Sequence, residues 1–175
     1  MNKKLRLLVT QECPNHCPMC CNNSWDFSKL PVVDRWNYEE IMITGGEPLL
    51  YPAYVSRLIR SIREIQKVMG IECKIYLYTS RALPIVGGLL YEVDGIVYIP
   101  HSKADIREFL RVNTVLLYTP PMSNISLRLN LFNNMRSLIP EDTDLHRWKV
   151  KDIKWIKDCP VPEGEDFRRI AELWA

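Results

Sequence analysis

Apolar and polar residues alternate along this chain with two different periods. Residues 5–9 form a short, mostly apolar run of the kind a buried strand presents. Residues 41–44 form a second, which Gly45 and Gly46 bring to an end. From Val55 to Met69 the apolar positions recur at spacings of three, four and seven, the stripe of an amphipathic helix, and Gly70 supplies the stop. Residues 74–79 alternate and branch like a strand, and 95–99, closed by Pro100, predict another. Ser102 with Asp105 three positions on resembles a capping box and opens a helix to about Val112. Residues 114–118 and 126–132 complete a set of about six strands. Residues 82–92 carry a helical pattern spoiled by Pro84, Gly87 and Gly88; 26–38 give no helix because Pro31 interrupts them; 167–174 read as a helix covering one face.

Strands that alternate with helices predict parallel pairing and an α/β domain. The length, 175 residues, suits one domain, with no internal repeat or low-complexity tract. We divide it at 140: residues 1–140 form the core, and 141–175, rich in charge and Trp, form a C-terminal extension packed on the same domain. An apolar share of 47% excludes disorder. Lys and Arg total 23 against 21 Asp and Glu, a net charge of +2, too balanced to argue for nucleic acid or an anionic membrane. No apolar run approaches the ~18 residues of a membrane span, and the stretch after Lys3 and Lys4 is too short for a signal peptide. The expectation is a cytoplasmic protein with neither membrane nor nucleic-acid partners.

Chemistry enters with the cysteines. A cytoplasmic chain keeps them reduced, so they read as ligands or core residues. Cys13, Cys17, Cys20 and Cys21 crowd together, while Cys73 and Cys159 stand apart without flanking partners and read as small buried hydrophobes. Cys13-x3-Cys17-x2-Cys20 puts three soft ligands on one loop, enough for three irons of a [4Fe–4S] cluster with the fourth left open. The same spacing also suits a structural zinc, with Cys21, His16, Cys73 or Cys159 as a fourth ligand. Cys21 is a poor choice because it directly follows Cys20 and its side chain should diverge.

The second feature is Thr44-Gly45-Gly46-Glu47-Pro48, between a predicted strand and a predicted helix. This is the carboxyl end of the sheet, where α/β folds bind ligands. The glycines let backbone approach a ligand, and Glu47 can offer a carboxylate to a cation. Alone, the segment also reads as an ordinary turn with a solvated Glu. No Lys-Ser/Thr pair follows, so it is not a phosphate loop.

Taken together, the cysteine loop after the first strand and Gly-Gly-Glu after the second resemble the radical SAM superfamily, over residues 5 to 132. The resemblance implies a partial, laterally open (β/α)6 barrel of mostly parallel strands, the radical SAM core. It implies that Cys13, Cys17 and Cys20 hold a [4Fe–4S] cluster and that Gly45, Gly46 and Glu47, with Thr44, bind the amino group of S-adenosylmethionine. Met19 matches the position before the last cysteine, usually aromatic, whose backbone touches adenine. Thr79 and Ser80 stand where activating enzymes carry Thr-Asn-Gly, and the match is partial. His101 occupies a slot often polar and turned to the cofactor; a lone His at a strand end is more often a solvated loop residue. Arg128 resembles an Arg facing the cofactor's carboxylate or ribose, and reads equally as a strand-surface residue.

The implied activity is that of an oxidoreductase. A one-electron donor such as flavodoxin or ferredoxin reduces the cluster, and S-adenosylmethionine is cleaved to a 5′-deoxyadenosyl radical that abstracts a hydrogen atom. Only 23 residues, 21 to 43, separate the cysteine loop from Thr44, leaving little room for a first crossover helix. A short, laterally open barrel suits a large substrate, such as a glycyl-radical enzyme or another protein or peptide. The rival readings are modification of a small molecule and, from another class, a non-catalytic zinc or Fe–S interaction module.

Overall fold

The structure, a computed structural model, describes residues 3–20, 23, 25–82, 88–120, 124–157 and 160–174. Its strands are β1 (Lys4–Thr10), β2 (Glu40–Thr44), β3 (Lys74–Thr79), β4 (Gly95–Tyr98), β5 (Ser126–Phe132), β6 (Lys149–Ile153) and β7 (Glu165–Trp174). They form one seven-stranded sheet in the order β6-β5-β4-β3-β2-β1-β7, with every pairing parallel. The sheet is not closed; β6 and β7 are its edges.

From β1 to β6 the order never reverses. Right-handed crossovers between successive parallel strands then all fall on one face. Helices α1 (Pro52–Met69), after β2, and α2 (Lys103–Tyr118), after β4, lie there together. Leu5, Leu7, Ile43, Leu77 and Leu129 of the strands pack against Val55, Ile59 and Ile62 of α1 and Ile106, Phe109 and Val112 of α2. A doubly wound sheet would reverse its order at a switch point. The unreversed order with open edges is consistent with a partial α/β barrel.

The opposite face is covered over β1 and β7 by the connection between β1 and β2. Residues 11–39 cross from β1 to β2 without an α-helix among those described, and include the 3-10 turn Phe27–Lys29. Phe27 and Leu30 join Leu8, with Trp25 and Phe167 packed against them, as an apolar plug over β1 and β7. Trp25 meets Phe167 edge-on at 5.2 Å.

Local patterns hold where packing and propensity agree. The stripe of α1 buries Val55, Ile59 and Ile62, and Gly70 ends it in the left-handed region (φ 64°). The Ser102–Asp105 capping box forms as expected. Residues 114–118, expected as a strand, instead continue α2, because the inward stripe Ile106, Phe109, Asn113, Leu116 runs through them. Packing of that stripe outweighs the β-branched Thr114 and Val115, and the helix stops at Thr119, extended before Pro120.

The helix expected over 167–174 is strand β7. Eight residues are too few to separate the two periods, and β1 offers an open edge for it to pair. Strand β6 was not expected, since Lys149, Lys151 and Asp152 leave it with little apolar alternation. The sheet thus has seven strands rather than about six, and residues 141–175 supply two of them. That segment is also tied to α2. Trp148 donates its Nε1–H to Asn113 at 2.9 Å, Asn113 donates to the Asp144 carbonyl, and Arg147 caps the last carbonyls of α2 at Leu116 and Thr119. Of the helical pattern over 82–92, residues 83–87 lie outside those described, and Leu89–Tyr91 is a 3-10 turn. Among the described residues, no helix is long and apolar enough to cross a membrane.

Candidate functional site

The C-terminal ends of six consecutive strands converge on one cleft of about 280 Å³. Cys13, Cys17 and Cys20 line it from the loop after β1, and Thr44, Gly45, Gly46 and Glu47 from the end of β2. Tyr78, Thr79 and Ser80 come from β3, Ile99 and His101 follow β4, Phe132 ends β5, and Ile153, Lys154, Trp155 and Ile156 come from β6 and just beyond. Ligands bind at this end of parallel sheets.

The cysteine loop is held from two sides. On one, the Gly46 N–H donates to the Thr10 carbonyl and the Glu47 N–H to the Glu12 carbonyl, each at 2.7 Å. An added Cβ would lie 2.4 Å from the Thr10 oxygen at Gly45 and 2.0 Å from the Glu12 oxygen at Gly46. The two glycines therefore admit the protein's own backbone, leading into Cys13, rather than a ligand's approach alone. On the other side, Asn15, between Cys13 and Cys17, donates to the Ser80 hydroxyl at 3.0 Å and to Asp105 at 3.4 Å. Asp105 is itself fixed, accepting from the backbone N–H groups of His101 and Ser102.

Three thiols on one loop have the donor chemistry of a polynuclear iron centre. Burial, then the neighbouring Cys20 and Cys13 charges, pushes the Cys17 thiol up to about 11. Burial, then the Glu47, Cys20 and Asp105 charges, raises Cys13 against the hydrogen bond from the Asn15 backbone. Three thiolates side by side repel unless a cation joins them, and binding one releases their protons. Among the described residues, no three His, Cys, Asp or Glu side chains form a group that could hold a metal ion. A cluster asks less convergence, because each cysteine binds a different iron.

Glu47 is not a solvated turn residue; it is 1% exposed. One carboxylate oxygen accepts from the Leu49 N–H and the Thr79 hydroxyl, the other from the Ser80 N–H and hydroxyl, at 2.6–2.9 Å. Those four donors occupy the usual acceptor positions of a carboxylate. Burial pushes its carboxyl up, while the donors pull it down. Glu47 thus joins the ends of β2 and β3, and its hold on Ser80 extends to Asn15. A ligand ammonium reaches it only by displacing a hydroxyl.

Glu47→Gln should accordingly destabilise the ligand-free protein. The amide's NH2 would face donors, and the Ser80 N–H cannot turn away. The expected loss is about 1–3 kcal/mol, or roughly 2–12 °C in Tm. Thermal unfolding followed by circular dichroism checks this; an unchanged Tm would mean that the network does not stabilise the fold.

His101 forms the aromatic wall. Its ring centroid lies 5.6 Å from Phe132 and 5.7 Å from Trp155, and those two rings stack at 4.0 Å. Among the described residues its Nδ1 is buried with no hydrogen-bond partner, and burial lowers its pKa against the Asp105 charge. An orphaned polar atom on the wall of a cleft suits a ligand that completes it.

Other expectations fall elsewhere. Met19 is 41% exposed and outside the cleft lining. Arg128 is also outside it: Nε donates to Ser126, and the guanidinium lies 4.4 Å over the Tyr76 ring. Cys73 is buried in the core, its thiol pushed by burial up to about 11. His16 is exposed. Cys21 and Cys159 lie outside the described residues. Asn15, Asp105 and Trp155 were missed as site residues. The capping box pointed to Asp105, but nothing in the local sequence signals Asn15's bond across 65 residues. No protein-family model matches the chain, and no curated protein matches it either.

Proposed function

We propose that this chain is a radical SAM enzyme, with Cys13, Cys17 and Cys20 holding a [4Fe–4S] cluster and the rest of the cleft taking S-adenosylmethionine. One observation carries the reading: the cysteine loop and the Gly-Gly-Glu segment, distant in sequence, line one cleft at the carboxyl end of a parallel sheet. When bound, the cluster and S-adenosylmethionine supply reductive cleavage of the sulfonium and hydrogen abstraction from a substrate; a flavodoxin- or ferredoxin-like donor supplies the electron.

The chain's own residues bind and orient. Gly46 and Asn15 hold the cysteine loop, Glu47 fixes Thr79 and Ser80, and Phe132 and Trp155 keep water from the apolar wall. The finer reading of the fold is a radical SAM partial barrel, and its open edge suits a protein or peptide substrate. The test is anaerobic reconstitution followed by iron and sulfide counts and, with dithionite, chromatography of S-adenosylmethionine products. Expected are about four irons per chain and 5′-deoxyadenosine. Stoichiometric zinc with no such product would overturn the reading in favour of a non-catalytic metal module.

A further inference from the structure

On the face opposite the helices, the half not covered by the Phe27 plug carries Arg128. It stands four residues before Phe132 on the same side of β5, about 13 Å below the cleft rim at the usual strand rise. A Cβ on Gly95 would lie 2.6 Å from the Tyr76 ring, so its absence lets that ring lie against β4. The Arg128 guanidinium rests on the ring at 4.4 Å, and its Nε donates to Ser126 at 3.2 Å. Stacking fixes the plane and the Nε bond fixes the rotation, while the two terminal nitrogens bond to no described residue.

Nothing among the described residues neutralises it. β4, β5 and β6 present Val97, Arg128, Asn130, Lys149 and Lys151 on this side and no carboxylate. The nearest acids across the sheet are engaged: Glu165 pairs with Arg6 at 2.7 Å and Glu40 with Lys4 at 3.7 Å. Lys149, the register partner of Arg128, adds positive potential, although edge lysines also keep a strand from pairing with other chains. The inference therefore rests on Arg128. An oriented guanidinium with a free fork matches the two oxygens of a carboxylate or phosphate.

We infer that Arg128 is an oxyanion-binding site and that, on the reading proposed above, it anchors a carboxylate or phosphate of the substrate whose body rises along β5 past Asn130 to the cleft. Two-dimensional NMR of the full chain, 15N-labelled at arginine, during titration with benzoate, inorganic phosphate and methionine tests it. The Arg128 Nε–H signal should shift saturably with benzoate or phosphate, and the stronger of the two identifies the group. Arg128→Gln should weaken that binding about tenfold or more, and Arg128→Lys should be intermediate. Arg57→Gln, which removes an exposed guanidinium stacked on Tyr54 at 4.4 Å, should leave it unchanged.

A stationary Arg128 signal, or equal weakening in Arg128→Gln and Arg57→Gln, would overturn the site. Saturation by methionine alone would overturn the substrate assignment, because that carboxylate belongs to the proposed cofactor. Anion binding needs neither cluster nor S-adenosylmethionine, so this failure is separable from loss of iron loading or 5′-deoxyadenosine.

Discussion

Cys17→Ala, purified and reconstituted without oxygen, should lose most of its iron and all reductive cleavage of S-adenosylmethionine while remaining folded. Cys17 is the middle thiol of the loop, and the charges of both neighbours act on it. Without it, a second iron of the proposed cluster has no protein ligand on this wall. Cys13→Ala and Cys20→Ala should behave alike. Cys73→Ala should keep full iron, because Cys73 precedes β3, at the opposite end of the sheet from the cleft. Cys21→Ala and Cys159→Ala should keep it too, on the spacing argument. Metal uptake must also expel the Cys17 proton, held up to about 11. Loading should therefore fall as the reconstitution buffer is acidified and rise as it is made alkaline. Full iron in Cys17→Ala would remove the cluster assignment.

The parts of this fold legible in the sequence are those whose local and tertiary demands coincide. Residues 74–79 and 126–132 alternate apolar and polar positions, and both faces of the sheet use that alternation. The stripe of α1 lies over the strands it predicts. Ambiguity entered where a short segment fits two periods. Phe167, Ile170 and Leu173 suit a helix, yet the open edge of β1 takes them as a strand. Thr114 and Val115 suit a strand, yet Asn113 and Leu116 anchor them in α2.

The candidate site was legible at its cysteines and at Gly-Gly-Glu because the two motifs, each open to another reading alone, follow successive strands and so fall at one end of the sheet. Its internal wiring was not. The bonds that Thr79 and Ser80 donate to Glu47, and those that Asn15 donates to Ser80 and Asp105, join four strand ends and loops that only the folded sheet brings together. Position also separates His101, which the sequence favoured as a solvated loop residue, from Arg128, for which it left two readings equal. His101 follows β4 at the cleft, whereas Arg128 lies a full turn of the pleat and more below it, on a different ring.

Gly46→Ala should be among the most damaging single substitutions in the chain, although it adds one methyl group. The new Cβ would sit 2.0 Å from the Glu12 carbonyl oxygen, 2.5 Å from its carbon and 2.7 Å from the Gln11 oxygen. All three are backbone atoms, so no rotamer change relieves the overlap. The strand ends must separate, breaking the 2.7 Å bonds from Gly46 to Thr10 and from Glu47 to Glu12. Overpacking of this kind costs about 3 kcal/mol or more, or roughly 6–12 °C in Tm. The displaced segment runs directly into Cys13, so iron loading should fall together with stability. Gly70→Ala separates this effect from the general cost of replacing glycine. Gly70 has a positive φ of 64° at the end of α1 but no atom within 4 Å of an added Cβ. That variant should lose only about 1 kcal/mol through backbone strain and load iron normally. A Gly46→Ala protein with wild-type Tm and full iron would mean that the two motif loops are not clamped together as described, and the cleft they form would lose its physical basis.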